Sequence, residues 1–474
     1  MTARVDPGTV HAVLQRAATP LGLRFGPDPS TPTRCTIGGM IGNNACGSRA
    51  LGYGRTADNV VAIDVVTIAG EQIKLAKGAT PPSATLDQLK SVAAAGMGTI
   101  RTEFGTFGRQ VSGYSLEHLL PENGFDVSTF MAGTEGTLAV ITQSTVRLVK
   151  DPAHRRLLVL GYASMAQAAD HVPALLAFEP TACEGLDSRI VDVVRARRGH
   201  SGVPGLPAGK GWLFLELVGD NPAEIESRAT KAAQASGAIA TRLIVNDPEQ
   251  AALWKIREEG AGLAAHTLSR PALSGWEDAA VPPERLGIYL RESEALLAEY
   301  ALDGLPYGHF GDGCVHIRID FPLDEPGGHQ GFRNFLVDAA TLVAAHGGSL
   351  SGEHGDGRAR SELLPLMYSA QAIDLFAKTK AVFDPDNLLN PGILVAPSAV
   401  DETCADRAAA RSTTDSDCGC CTMTVTSAKQ CTAAPESASA LPTIRRPAAS
   451  CARRSRRRAT KKTRRGAAHS YCRK

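Results

Sequence analysis

Strand-like and helix-like spacings of apolar residues alternate along the chain and end after Ala396. Residues 60–68 (VVAIDVVTI) form a nearly unbroken apolar run closed by Ala69-Gly70, which predicts a buried strand. Residues 137–148 (TLAVITQSTVRL) predict an extended pair. From residue 155 the order becomes regular: strand 156–163, helix 165–178, strand 182–187, then strand 212–218, helix 222–236 and strand 240–245. Two such units in tandem predict a ferredoxin-like antiparallel sheet with helices on one face. Further helices are predicted over 249–265, 283–300, 333–345 and 370–383, with a strand pair over 306–321. Gly347-Gly348 caps the third of these helices, and Asp384-Pro385 stops the fourth.

With 474 residues and 43% hydrophobic content, the chain has room for two or three domains with cores of their own. No apolar run approaches the roughly 18 residues needed to cross a bilayer, so no transmembrane segment is expected. Residues 1–10 lack a signal pattern, and a cytoplasmic protein is expected, with peripheral attachment at the inner membrane as the variant. The net charge of +1 conceals an asymmetry: residues 445–474 carry 13 Lys or Arg and no acid. The body is therefore acidic, and no nucleic-acid partner is expected. Seven of the 11 cysteines fall after residue 400, without the spacing of a ferredoxin site, so no iron–sulfur cluster is expected in this chain. Residues 398–474 are expected to be disordered.

Three segments invite chemistry. The first, residues 38–47 (GGMIGNNACG), is dense in glycines that let backbone approach a ligand and turn N–H groups toward phosphates; a structural turn is the plainer alternative. The second is YGHFGDGCVHIR, residues 307–318. Asp312-Gly313 reads as the centre of a type I′ hairpin turn, which sets His309 directly opposite His316 with Cβ atoms about 4.5–5.5 Å apart. Two imidazoles so placed can chelate a divalent cation; two partly exposed strand histidines are the alternative. In SGEHGDGR, residues 351–358, Glu353 offers a third ligand and His354 a base. The plainer readings are a solvated loop acid and a helix-capping imidazole.

Residues 35–60 (CTIGGMIGNNACGSRALGYGRTADNV) resemble the second flavin-binding segment of the vanillyl-alcohol-oxidase, or PCMH-type, FAD fold. The segments GTEGTL (133–138) and DPDNLLNPG (384–392) resemble its later motifs, and the resemblance spans roughly residues 3–397. It implies an α+β chain: the C-terminal part of a PCMH-type FAD-binding domain (1–152, its small first subdomain missing), a ferredoxin-like substrate domain (153–397) and the tail. It implies FAD, with Gly38, Gly39, Gly42, Asn43 and Asn44 around the pyrophosphate and adenosine. Gly133, Glu135, Gly136, Thr137 and Ile141 would then lie near the ribityl and adenine contacts, and Asn390 near the isoalloxazine.

Within that family, GHFGDGCVH (308–316) and GEHG (352–355) resemble the metal-dependent D-2-hydroxy-acid dehydrogenases. This resemblance implies a divalent metal, Zn or Mn, on His309, His316 and Glu353, with His354 as catalytic base. Trp254-Lys255-Ile256-Arg257-Glu258 resembles the family's WxxRE, whose Arg grips the substrate carboxylate, a task suited to a guanidinium fork. Arg257 as a helix-surface partner of a nearby acid is the alternative. Arg318 falls on the His316 face of a regular strand and could bind a second carboxylate or only balance Asp320. Residues 314–318 and 352–360 most resemble bacterial members fused to an iron–sulfur domain, which implies D-lactate or D-2-hydroxyglutarate as substrate. The electron acceptor would be an iron–sulfur domain, a quinone or an electron-transfer flavoprotein. Read two nucleotides out of frame, the codons of 441–454 and 460–474 can spell strings resembling that iron–sulfur domain, so a frameshift is expected between residues 398 and 440. An inactive truncated fragment is the competing expectation.

Overall fold

The computed structural model describes residues 1–402 except 80, 200–202, 265–267, 269, 271 and 273–275. Residues 403–474, with the late cysteines and the basic run, lie outside the described residues, whereas 398–402, expected to be disordered, are held: the Val400 N–H donates to Glu362 and Asp401 pairs with Arg333.

The first sheet holds β1 (Thr2–Val5), β2 (Leu23–Phe25), β3 (Val60–Val66), β4 (Gln72–Ala76) and β5 (Val140–Lys150). It runs β1-β5-β3-β4, with β2 also on β5, and all pairs are antiparallel. Where residues 137–148 predict an extended pair, β5 is instead one long strand. Thr137 folds back, its N–H and hydroxyl both donating to Thr134 O at 2.9 and 2.6 Å, so the strand starts late. No Gly, Pro, Asn or Asp then follows Val140 until Asp151-Pro152, and the strand runs on to Lys150. The glycine-rich segment becomes the helix Ile37–Asn43, whose Ile37, Met40 and Ile41 are buried.

The second sheet holds β6 (His154–Tyr162), β7 (Ala182–Asp187), β8 (Gly211–Gly219), β9 (Ala240–Ile244), β10 (Ala279–Ala280), β11 (Gly304–Gly308) and β12 (Cys314–Ile319). Its order is β10-β12-β11-β7-β8-β6-β9, so the ferredoxin-like unit is extended at one edge by β11, β12 and β10, with His316 on β12 and His309 in the β11–β12 connection. The helix expected over 165–178 is split into Met165–Asp170 and Val172–Leu176. Pro173 accounts for the break, since it has no N–H to donate and its ring crowds the carbonyl four residues back.

Helices cover both faces of this sheet, not one. Leu158, Leu160, Leu213 and Leu215 face the main core with helices Pro222–Ala235 and Leu286–Glu299. Their neighbours Leu157, Val159, Trp212 and Phe214 face a second core, closed by Ile190 and Val194 of helix Ser188–Arg198 and by Leu253 and Ile256 of helix Asp247–Ala264. Helix Ser188–Arg198 escapes sequence reading because its apolar stripe is narrow and four arginines surround it. Among the described residues, no helix is long and apolar enough to cross a membrane.

Candidate active site

The connection between β11 and β12 carries the first histidine, and its geometry differs from the expected hairpin. After Gly308 come His309, a 3-10 turn over Phe310–Asp312, and Gly313 in the left-handed region at φ 76°. The strand register sets Tyr307, not His309, opposite His316. The longer turn buries Phe310 completely, its ring lying where a Cβ on Gly185 would stand. The two imidazoles still converge from different elements, with ring centroids 5.1 Å apart and planes at 88°.

The loop over residues 351–354 is shaped by Asp278, which sequence reasoning missed. Its Oδ2 accepts the N–H groups of Gly352, Glu353 and His354 at 3.0, 3.0 and 2.7 Å and the Ser351 hydroxyl at 2.6 Å. A buried carboxylate with four donors stays ionised: burial opposes this, but His354, His316 and Arg360 hold it well below the ordinary range. The loop so folded turns Glu353 inward. Glu353 Oε1 lies 2.9 Å from His309 Nε2 and 3.3 Å from His316 Nε2. Its Oε2 accepts the Gly47 N–H at 2.8 Å and Arg109 Nη1 at 3.2 Å. Arg109, also missed in the sequence, donates to Asp312 Oδ2 at 2.8 Å as well.

Whether these residues suit a cation can be judged from the nitrogens that face outward. His309 Nδ1 is 2.8 Å from Glu184 Oε1, and His316 Nδ1 is 3.0 Å from the Glu277 carbonyl. Both outer nitrogens therefore act as donors, and in the neutral rings both Nε2 lone pairs point at a carboxylate oxygen, acceptor against acceptor. A cation resolves that conflict, and the outer partners are those that orient metal-bound imidazoles. The three ligand atoms lie within 4.8 Å of one another, so the set fits a metal ion. In the metal-free protein a proton serves instead: burial disfavours charge on His309, but Glu184 and Glu353 outweigh it and push its pKa up to about 9.

His354 stacks on His316, with centroids 5.0 Å apart and planes at 9°, and its side chain is 40% exposed at the mouth of the cluster. Its carbonyl accepts Asn43 Nδ2 at 3.2 Å, which ties the His354 loop to the glycine-rich helix. Arg257 is buried one layer behind His309: Nη2 is 2.6 Å from Glu184 Oε2 and 3.2 Å from His309 Nδ1. It is therefore not a helix-surface residue. Arg318 lies 3.6 Å from Glu277, whereas Asp320 accepts the Asp303 N–H and faces Arg270.

The expected flavin residues divide. Gly42, Asn43, Gly133, Glu135 and Asn390 come together: the Gly133 N–H donates to Ile41 O at 2.8 Å, the Glu135 N–H to Gly42 O at 2.9 Å, and Asn390 Nδ2 to Glu135 O at 2.7 Å. Gly42 and Gly136 have open space where a Cβ would stand, beside exposed Asn43 and Asn390. Bare glycine positions and exposed amide side chains, gathered beside the His354 loop, are chemically suited to a phosphate-bearing cofactor. Other members of the set have internal duties. The Gly38 N–H donates to Pro7 O, the Gly39 N–H to Thr36 Oγ1, and the Ala57 N–H to Asn44 Oδ1. Thr137 bonds Tyr114, and Ile141 of β5 pairs with Val65 of β3.

Fold and site together have the composition of a flavoprotein oxidoreductase, and comparison with known proteins agrees. The model of FAD linked oxidases, C-terminal domain, matches residues 151–394, and that of an FAD binding domain matches residues 1–76. The chain belongs to the FAD-linked oxidase family. It is 32% identical to D-lactate dehydrogenase of Archaeoglobus fulgidus over 82% of this chain and 76% of that one. It is 28% identical to D-2-hydroxyglutarate dehydrogenase of Escherichia coli over 84% of this chain and 42% of that one. Glycolate oxidase subunit GlcD of Bacillus subtilis is 27% identical over 86% and 78%. The chain spans only 41–42% of the length of the D-2-hydroxyglutarate dehydrogenases of Pantoea ananatis, Escherichia coli and Pseudomonas putida. A solved alkyldihydroxyacetonephosphate synthase shares the fold at TM-score 0.54 and 15% identity, covering 82% of this chain and 64% of that one.

Proposed function

We propose that this chain is the flavin- and substrate-binding core of a dehydrogenase that oxidises a D-2-hydroxy acid, D-2-hydroxyglutarate or D-lactate, to the 2-oxo acid. The observation that carries this reading is the meeting of His309 Nε2, His316 Nε2 and Glu353 Oε1, with the open edge of His354 beside them. When bound, FAD would accept the hydride from Cα, and a divalent ion on these three residues, Zn or Mn by their chemistry, would acidify the substrate hydroxyl.

The protein's own part is proton transfer and placement. His354 Nε2, 4.0 Å from Glu353 Oε1, faces the cluster and receives the hydroxyl proton, while Nδ1, 3.7 Å from Glu277 Oε1, has a carboxylate to stabilise the imidazolium. Arg257 offers its remaining guanidinium N–H groups to the substrate carboxylate while Glu184 holds Nη2. Arg318 would meet a second carboxylate, which favours D-2-hydroxyglutarate over D-lactate.

The test is to titrate the purified full chain with FAD and add each acid anaerobically, with and without a chelator, following flavin absorbance. Bleaching by a D-2-hydroxy acid that the chelator prevents supports the reading. A protein that binds FAD but is bleached by none of these acids overturns it. A protein that stays colourless on titration with FAD overturns the flavin part of the reading.

A further inference from the structure

Glu184 is wholly buried in the middle of β7, a strand whose residues are otherwise apolar, glycine or terminal. An unpaired carboxylate there would be costly, and this one spends both oxygens on the candidate site. Oε1 lies 2.8 Å from His309 Nδ1, and Oε2 lies 2.6 Å from Arg257 Nη2. The backbone explains the meeting. β7 and β11 pair antiparallel with Tyr307 opposite Leu186 and Gly308 opposite Gly185, so the next position in register sets His309 against Glu184. Gly185 must lack a side chain because the Phe310 ring occupies the place of its Cβ at 2.5 Å. The strand pair thereby holds the histidine turn flat against β7.

We propose that Glu184 is a positioning residue with two separable duties: one oxygen fixes the tautomer of His309 so that Nε2 faces a cation, and the other orients Arg257 toward the substrate carboxylate. This rests on the reading of the site given above. Its consequence is that metal holding and substrate holding share one buried carboxylate and can be parted by changing its charge without its shape. In Glu184→Gln the amide oxygen still accepts from His309 Nδ1, but Arg257 loses its counter-charge. In Glu184→Ala both duties go.

Two readouts that need no flavin test this in the full chain. The first is Co²⁺ affinity of the metal-free protein, from the visible bands of the bound ion under chelator competition. The second is D-lactate affinity of the Co²⁺-loaded protein, from the change in those bands. Glu184→Ala is expected to weaken Co²⁺ by about 10–100-fold, the scale of a lost outer-sphere partner. Glu184→Gln is expected to keep Co²⁺ affinity near wild type while D-lactate binding weakens about tenfold. Equal Co²⁺ affinity in wild type and Glu184→Ala overturns the first duty, and unchanged D-lactate binding in Glu184→Gln overturns the second. If Glu184→Ala does not fold, Glu184→Gln decides alone: weakened D-lactate binding at preserved Co²⁺ affinity supports the proposal, and any other pattern overturns it. Wild-type protein that takes up no Co²⁺ would instead remove the metal reading on which the proposal stands.

Discussion

Arg109 and Glu353, 244 positions apart in the chain, meet at 3.2 Å in an interior where the Arg109 side chain is only 1% exposed. The same guanidinium reaches Asp312 Oδ2, Gly47 O and Gly352 O, so one cation gathers the glycine-rich segment, the histidine turn and the Glu353 loop. Replacing it with Met leaves two carboxylates without that partner in a dry site. Arg109→Met is expected to cost about 3–5 kcal/mol, the usual scale for breaking a buried pair. Urea unfolding monitored by fluorescence measures this, and a loss below about 1 kcal/mol would show that the contacts are incidental.

His354 is expected to act in the reaction without holding the cofactor or the metal. His354→Asn should keep the yellow colour of FAD-loaded protein and its Co²⁺ uptake, yet slow flavin reduction by at least about 100-fold, the lower end of general base catalysis. Stopped-flow reduction is the measurement, and a rate within tenfold of wild type would take His354 out of the mechanism.

Arg318 offers a test of substrate choice. Its guanidinium is 27% exposed and lies 3.6 Å from Glu277, on the strand that carries His316. Arg318→Met is expected to raise KM for D-2-hydroxyglutarate about tenfold or more through loss of a charged hydrogen bond, while leaving KM for D-lactate nearly unchanged. Equal effects on both acids would rule out a selective role.

Glu117 predicts a pH dependence apart from the chemistry. Burial pushes its carboxyl up to about 7 from an ordinary 4.5, against the pull of Arg55. The native state therefore binds this proton more tightly than the unfolded chain does. Stability should fall as pH rises from about 4.5 to 7 and level off above, by at most about 3 kcal/mol for this group. Glu117→Gln stays neutral, so its Tm should drop less than wild type between pH 5 and pH 8. Parallel Tm profiles would contradict the assignment.

Much of this architecture was written in local spacing. The tandem strand–helix–strand order, the glycine runs and the stop at Asp384-Pro385 depend on residues a few positions apart, and side-chain periodicity reports those directly. The histidine pair and the Glu353-His354 loop were legible for the same reason, as compact motifs whose residue types carry their chemistry. The hairpin register was not, because burying Phe310 on Gly185 outweighed the local turn preference of Asp312-Gly313.

Sequence by itself thus determined which side chains could ligate, accept a proton or pair with a carboxylate. Tertiary structure alone decided which of them meet. Glu184 reaches His309 through the β7–β11 register, Asp278 gathers the Glu353 loop from beside β10, and Arg109 arrives from the other sheet's domain. Pairing between distant segments follows from burying both faces of the second sheet at once, a condition on the whole core that no short window of residues contains.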